Sequence, residues 1–238
     1  MVLWIIATLA AFFVKGLCGF ANTLVFTSIL GFGENNVAIS PVELMLGYPS
    51  NLILTWKNRK SLKKEVFIPL AVLVLLGSIP GALLLKNVDV KSIKIVFGVV
   101  VILLALEMFL REKSTKKYKE SRLVLAIIGI VSGVLCGLFG VGALLAAYIG
   151  RTTDNSKEFK GNISAVFIAD NTFRIILYSV LGVITFDGIK QALILLPVAL
   201  IGLFLGIKSA SILDEKLAKH LVIVLLIISG IILISKNI

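Results

Sequence analysis

The sequence predicts an all-α, polytopic membrane protein whose two homologous halves are inverted repeats, each a broken-helix hairpin followed by three transmembrane helices. Three observations predict it. The chain is 58% hydrophobic and only 16% charged, with a mean hydropathy of +1.06, whereas a soluble domain is nearer half apolar and a quarter charged. Two of its apolar runs are too long for one crossing, and glycines break both near the centre. The broken stretches also share a tripeptide, since Leu17-Cys18-Gly19 recurs as Leu135-Cys136-Gly137.

The apolar runs fall at 2–33, 39–55, 66–85, 92–110, 122–150, 162–185, 189–212 and 220–235. Most approach the roughly 20 residues that cross a hydrocarbon core. As single helices, runs 2–33 and 122–150 would extend about 45 Å at 1.5 Å per residue, against a core about 30 Å thick. Gly16 and Gly19 interrupt the first, and Gly133, Gly137 and Gly140 the second. Such breaks are tolerated in a membrane where the backbone is buried in protein or lines a cavity.

The remaining composition narrows the function class. The formal charge of +11 does not point to nucleic acid, because the basic residues sit between apolar runs, as in loops held at anionic lipid. Met1–Ile6 has neither a basic n-region nor a cleavage site and reads as the start of the first membrane segment. The only two cysteines lie inside apolar runs, so they form neither a disulfide framework nor a metal-binding pair. His220 is the single histidine, so no metal site is expected. No phosphate-binding loop is present, so ATP drive and a cofactor are not expected; an intramembrane enzyme is the remaining alternative, and one histidine with no HExxH motif argues against it.

The internal match extends beyond the tripeptide, which has an offset of 118. Asn51 corresponds to Asn171 at an offset of 120. Gly77, Gly81, Asp89, Lys91 and Lys94 correspond to Gly202, Gly206, Asp214, Lys216 and Lys219 at an offset of 125. The slow drift suits a diverged duplication. One membrane domain therefore spans 1–238, with a first half at 1–110, a linker at 111–121 and a second half at 122–238. The Gly-xxx-Gly pairs Gly77/Gly81 and Gly202/Gly206 predict seams of close helix approach.

Loop charge sets the topology. If both long runs are hairpins, each half crosses three times and the halves are inverted. Seventeen basic loop residues then lie inside and five outside. If all eight runs cross once, the halves are parallel, and the division is thirteen inside to nine outside. The hairpin arrangement satisfies the rule better, and it places the N-terminus outside. The alternative is eight simple spans in a parallel repeat.

Inverted repeats with broken helices are a transporter design. A hairpin tip exposes the free N–H groups and positive dipole end of its second half-helix, a ready anion site. The residues expected around it are Cys18, Gly19, Asn22, Cys136, Gly137 and Gly140. The cysteines either pack as small apolar residues or direct weak S–H donors at an anion, and the glycines either admit the anion or only pack helices. Arg174 and Asp170, four residues apart, either pair on one helix face or attract and tune the anion. Lys15 lies one turn before Cys18, at the tip or snorkelling. Asn51 and Asn171 either line the path or join helices. Glu43, an acid in an apolar run, is a candidate proton carrier, as is Asp170.

The Gly-rich first and fifth segments, the duplicated layout, and the Gly-xxx-Gly then Asp-x-Lys ends of the third and seventh runs together resemble the sulfite exporter TauE/SafE family, the TSUP permeases. The resemblance covers nearly the whole chain. It implies a multi-pass protein of a bacterial or archaeal plasma membrane that moves a small sulfur-containing anion, of the sulfite, thiosulfate or organosulfonate class, by alternating access or as a channel-like facilitator. Its implied partners are that anion and the bilayer. Family members often carry a proline after the repeated glycine cluster, whereas here Gly19-Phe20-Ala21-Asn22-Thr23 and Gly137-Leu138-Phe139-Gly140-Val141-Gly142 have none.

Overall fold

The computed structural model describes residues 1–31, 36–87, 90–112, 122–140, 142–210 and scattered positions between 220 and 235. Most of the expected linker, Asp89, Asp214, Lys216 and Lys219 lie outside the described residues, as does much of the last apolar run. The described chain is helical without a strand: α1 (Val2–Cys18), α2 (Asn22–Leu30), α3 (Asn36–Lys57), a short 3-10 turn (Arg59–Ser61), α4 (Lys64–Asn87), α5 (Val90–Glu112), α6 (Arg122–Phe139), α7 (Ala143–Thr152), α8 (Ser156–Val180) and α9 (Phe186–Ser209).

Among the described residues, three segments are long and apolar enough to cross a membrane by length and composition: Lys64–Leu84, Ser156–Val180 and Phe186–Ser209. Val2–Cys18 and Leu125–Leu138 are shorter apolar helices. Large apolar side chains such as Val72, Leu103, Val180, Leu193 and Ile201 are exposed on the helix exteriors. In water that pattern would be a liability; against lipid it is the expected outer surface. The molecule is a membrane protein.

Both overlong runs are broken helices. α1 ends at Gly19, whose φ of 87° lets its N–H bond Lys15 O, a left-handed closure that suits glycine. α6 ends likewise at Gly140, with φ 71° and its N–H on Cys136 O at 2.8 Å. The breaks therefore fall at Gly19–Ala21 and Gly140–Gly142, while Gly16, Gly133 and Gly137 stay inside helices. α2 turns back along α1. Trp4 and Phe26 meet edge to face with ring centroids 5.7 Å apart, whereas a helix running straight on would separate them by about 33 Å.

Sequence-encoded caps place the later helices. The Asn155 side chain accepts the Glu158 N–H at the start of α8, and Thr185 accepts the Gly188 N–H at the start of α9, each satisfying an otherwise free helix-end donor. Beside the first cap, Lys63 pairs with Glu158 at 2.9 Å and Asp154 at 3.2 Å. Hydrogen bonds to those two carboxylates, Glu158 first, raise the Lys63 ammonium above its ordinary pKa.

Contacts at the glycines give the helix directions. A Cβ on Gly16 would sit 2.3 Å from Leu203 O and 2.7 Å from Ile207 N, and Gly202 lies against Leu9 O and Phe13 N, so numbering rises together and α1 runs parallel to α9. A Cβ on Gly137 would sit 2.5 Å from Ser78 O and 2.7 Å from Ala82 N, while Gly77 lies against Ile130 O, so α6 runs parallel to α4. Between α3 and α8 the numbering opposes. Gly47 lies near Asn171 and Gly161 near Asn58, so these two are antiparallel.

The two glycine seams are the same seam twice, and they correct one sequence alignment. Leu203 and Ile207 stand to Gly16 as Ser78 and Ala82 stand to Gly137. That sets Gly16 against Gly137, an offset of 121, and the left-handed Gly19 against the left-handed Gly140. The tripeptide offset of 118 is therefore three residues out of step. Three residues is nearly one helical turn, so the false match still falls on about the same helix face. In the packed register, Lys15 stands where Cys136 stands, and Cys18 aligns with Phe139.

Candidate functional site

Four charged side chains are buried among the described residues: Lys15, Asp170 and Arg174 at 1% exposure each, and Glu43 at 3%. Ionisable groups inside a membrane protein are costly, and they persist where they pair or serve a pathway. All four belong to one polar centre between the two helix breaks.

Its first arm comes from the α1–α2 turn. Lys15, in the last turn of α1, points inward and does not snorkel. Its Nζ donates to Asn22 Oδ1 at 3.1 Å and lies about 6 Å from the Phe12 and Phe167 ring centres, within cation–π range. Asn22 Nδ2 donates to Glu43 Oε1 on α3, and the Thr23 hydroxyl also bonds Glu43. Asn22 and Thr23 open α2, whose first helical bond runs from Val25 N to Ala21 O, so the free N–H groups of that helix end begin at the residues holding Glu43. Ala21 takes the left-handed region, φ 70°, which costs a residue with a Cβ on the order of 1 kcal/mol.

The second arm comes from the α6–α7 turn. A Cβ on Gly140 would meet Thr23 Cγ2 at 2.9 Å, Glu43 Oε2 at 3.3 Å and Arg174 Nη1 at 3.4 Å. The second turn is thus pressed into the place where Glu43 and Arg174 approach one another, and only glycine fits. α7 begins at Ala143, and its cap Gly142 packs on the same Phe167 ring that faces Lys15.

Arg174 organises the third arm. Its Nη2 donates to Ser40 Oγ and Tyr178 Oη, both at 3.0 Å, and Tyr178 Oη donates to Gly137 O at 2.7 Å. Asp170 Oδ2 lies 3.7 Å from Arg174 Nη1, too far for a hydrogen bond, and Asp170 Oδ1 accepts from Ser78 Oγ. The predicted pair on one helix face is present, yet Arg174 Nε and Asp170 Oδ2 are buried without a hydrogen-bond partner. Buried donors are normally satisfied, so the guanidinium keeps capacity for a further acceptor.

The other expected residues divide. Cys136 is fully buried among the charges of Asp170, Arg174 and Glu43, and Gly137 supplies the carbonyl that holds Tyr178. Asn171 approaches Glu43 and Asn22 around Gly47. Asn51 is buried, with an unpartnered Oδ1. Cys18 lies in the hydrophobic core beside the first turn, where Gly19 packs on Lys160 of α8. Sequence reading missed Thr23, Ser40, Gly47, Ser78 and Tyr178. Tyr178 carried a signal, four residues after Arg174 and so on the same helix face; Ser78, on another helix, carried none.

The chain belongs to the sulfite exporter TauE/SafE family, whose family model matches residues 3–233. It is a family of membrane transporters. No curated protein and no solved structure matches the chain.

Proposed function

We propose that this family member is a secondary permease for a small sulfur-containing anion, of the sulfite, thiosulfate or organosulfonate class, working by alternating access between two inverted halves. One observation carries the reading. The buried cations Lys15 and Arg174 converge on a centre to which both helix breaks contribute. A buried ammonium, a guanidinium with a free Nε–H, the opening N–H groups of α2 and a glycine turn together suit a compact oxyanion. In this reading Lys15, Asn22, Gly140, Arg174 and Asn171 bind the anion, with Gly19, Gly137, Cys18, Cys136 and Asn51 around its path. Glu43 and Asp170 are the two candidates for proton coupling.

Inversion is supported by the antiparallel α3–α8 pair and by the two parallel glycine seams. A pseudo-two-fold axis in the membrane plane turns each helix into an antiparallel counterpart, whereas a parallel repeat leaves α3 and α8 pointing the same way. The close seams make α1 with α9, and α6 with α4, stiff units that rock against one another while the polar centre stays between them. The segment organisation 1–110, 111–121 and 122–238 belongs to the same proposal, as does a place in the plasma membrane.

Proteoliposome flux tests the reading. Uptake of sulfite, thiosulfate or taurine is expected to saturate with concentration and to follow an imposed ion gradient. Flux that rises linearly and ignores the gradient identifies a channel-like facilitator instead. Negligible flux of sulfite, thiosulfate and taurine while a cation passes rejects the anion site.

A further inference from the structure

The four buried charges of the polar centre cancel, two cations against two carboxylates. An anion entering this set unaccompanied leaves a net buried negative charge, the arrangement that protein interiors and bilayers tolerate least. One of the carboxylates must therefore give way, and the geometry distinguishes them. Asp170 is held from α4 by Ser78 and faces Arg174 of its own helix. Glu43 stands instead where the two helix breaks meet. Lys15 of α1 faces it through Asn22, and Asn22 and Thr23 of α2 donate to it. Arg174 and Asn171 of α8 approach it around Gly140 and Gly47, and Cys136 faces it from α6.

That donor set is what an oxyanion needs, and in this structure a carboxylate fills it. We propose that Glu43 is a built-in occupant of the anion site: its carboxylate holds the donors while the site is empty, and one proton taken up by Glu43 frees them for the one negative charge of an entering monoanion. The inference rests on the anion-permease reading above and adds a coupling rule to it. In the binding step the carboxylate gains one proton from water. Asn22 Nδ2 and the Thr23 hydroxyl pass from Glu43 to the anion, the nearby charges of Lys15 and Arg174 are then balanced by it, and the buried charge is unchanged.

Methanesulfonate tests the rule, because its single negative charge is fixed over the working pH range. Binding and proton uptake are measured together on the purified full-length protein, by calorimetry and an indicator dye in weak buffer, across about pH 5 to 9. The wild type is expected to reach one proton taken up per anion bound as pH rises, with affinity then falling about tenfold per pH unit. Glu43→Gln is expected to bind with no proton uptake and a flat pH profile. Wild-type binding without uptake at every pH overturns the proposal, as does unchanged uptake in Glu43→Gln. The wild-type measurement decides even if the variant does not fold. If the wild type binds none of methanesulfonate, sulfite and thiosulfate, the anion reading itself falls and takes the coupling rule with it.

Discussion

Arg174 shows how a single side chain ties the centre together. Its guanidinium reaches Ser40, Tyr178 and Asp170 from one position, a fan of directions that a lysine point charge does not reproduce. Removing it leaves the Asp170 carboxylate buried without its counter-ion. Arg174→Met is therefore expected to lose about 3–5 kcal/mol of stability, read as a lowered melting temperature in detergent, while Arg174→Lys loses less stability but most of its anion affinity. A stable Arg174→Met protein would show that the ion pair is not what holds α8 in place. At this scale the sequence was half legible. Lys15, Asn22, Glu43, Asp170 and Arg174 stood out because a polar residue in an apolar run needs a reason. Cys18 stood out for a poorer reason, a tripeptide match three residues out of register with the packing. The polar centre takes Lys15 from that turn of α1, and Cys136 occupies the equivalent place on α6.

At the scale of the helix, glycine does two separate jobs that look alike in sequence. Gly19 and Gly140 end helices through a left-handed backbone. Gly16 and Gly137 sit inside helices and let a neighbouring backbone come within side-chain distance. Sequence reading grouped them all as breaks, since a glycine carries no mark of which job it does; a break needs a positive φ and a close approach needs a partner helix, and neither is written locally. Packing separates their expected phenotypes. Gly16→Val forces a side chain against the α9 backbone, which has no flexible end to yield, and is expected to cost about 1–3 kcal/mol or more and to lower folded yield. Gly19→Ala meets mainly the Lys160 side chain and a left-handed penalty on the order of 1 kcal/mol. Size-exclusion profiles and melting curves of the two variants check the ranking, and a Gly19→Ala defect larger than that of Gly16→Val would reverse the assignment of roles.

For the whole molecule, direction is the quantity that matters, and loop charge supplies an expectation for it. A single helix says nothing about which way it crosses; the seventeen-to-five division of basic loop residues does, because each lysine or arginine left outside opposes insertion. The opposed directions of α3 and α8 are consistent with the proposed inversion. In the proposed topology the run 122–150, which lies between α3 and α8, doubles back and contributes no crossing, so α8 returns against α3, in keeping with their opposed numbering. If that run crossed once, α3 and α8 would be parallel. The two arrangements differ at two accessible points. If α1 and α2 form a re-entrant hairpin, one crossing separates residue 2 from residue 59, and the two lie on opposite faces. If the run spans, two crossings separate them and they share a face. Val2→Cys and Arg59→Cys, each placed in a Cys18→Ala, Cys136→Ala background, are expected to react with a membrane-impermeant maleimide in whole cells only at position 2, with position 59 reacting after the membrane is opened. Labelling of both from the same face would reject the re-entrant first hairpin and, with it, the proposed inverted repeat.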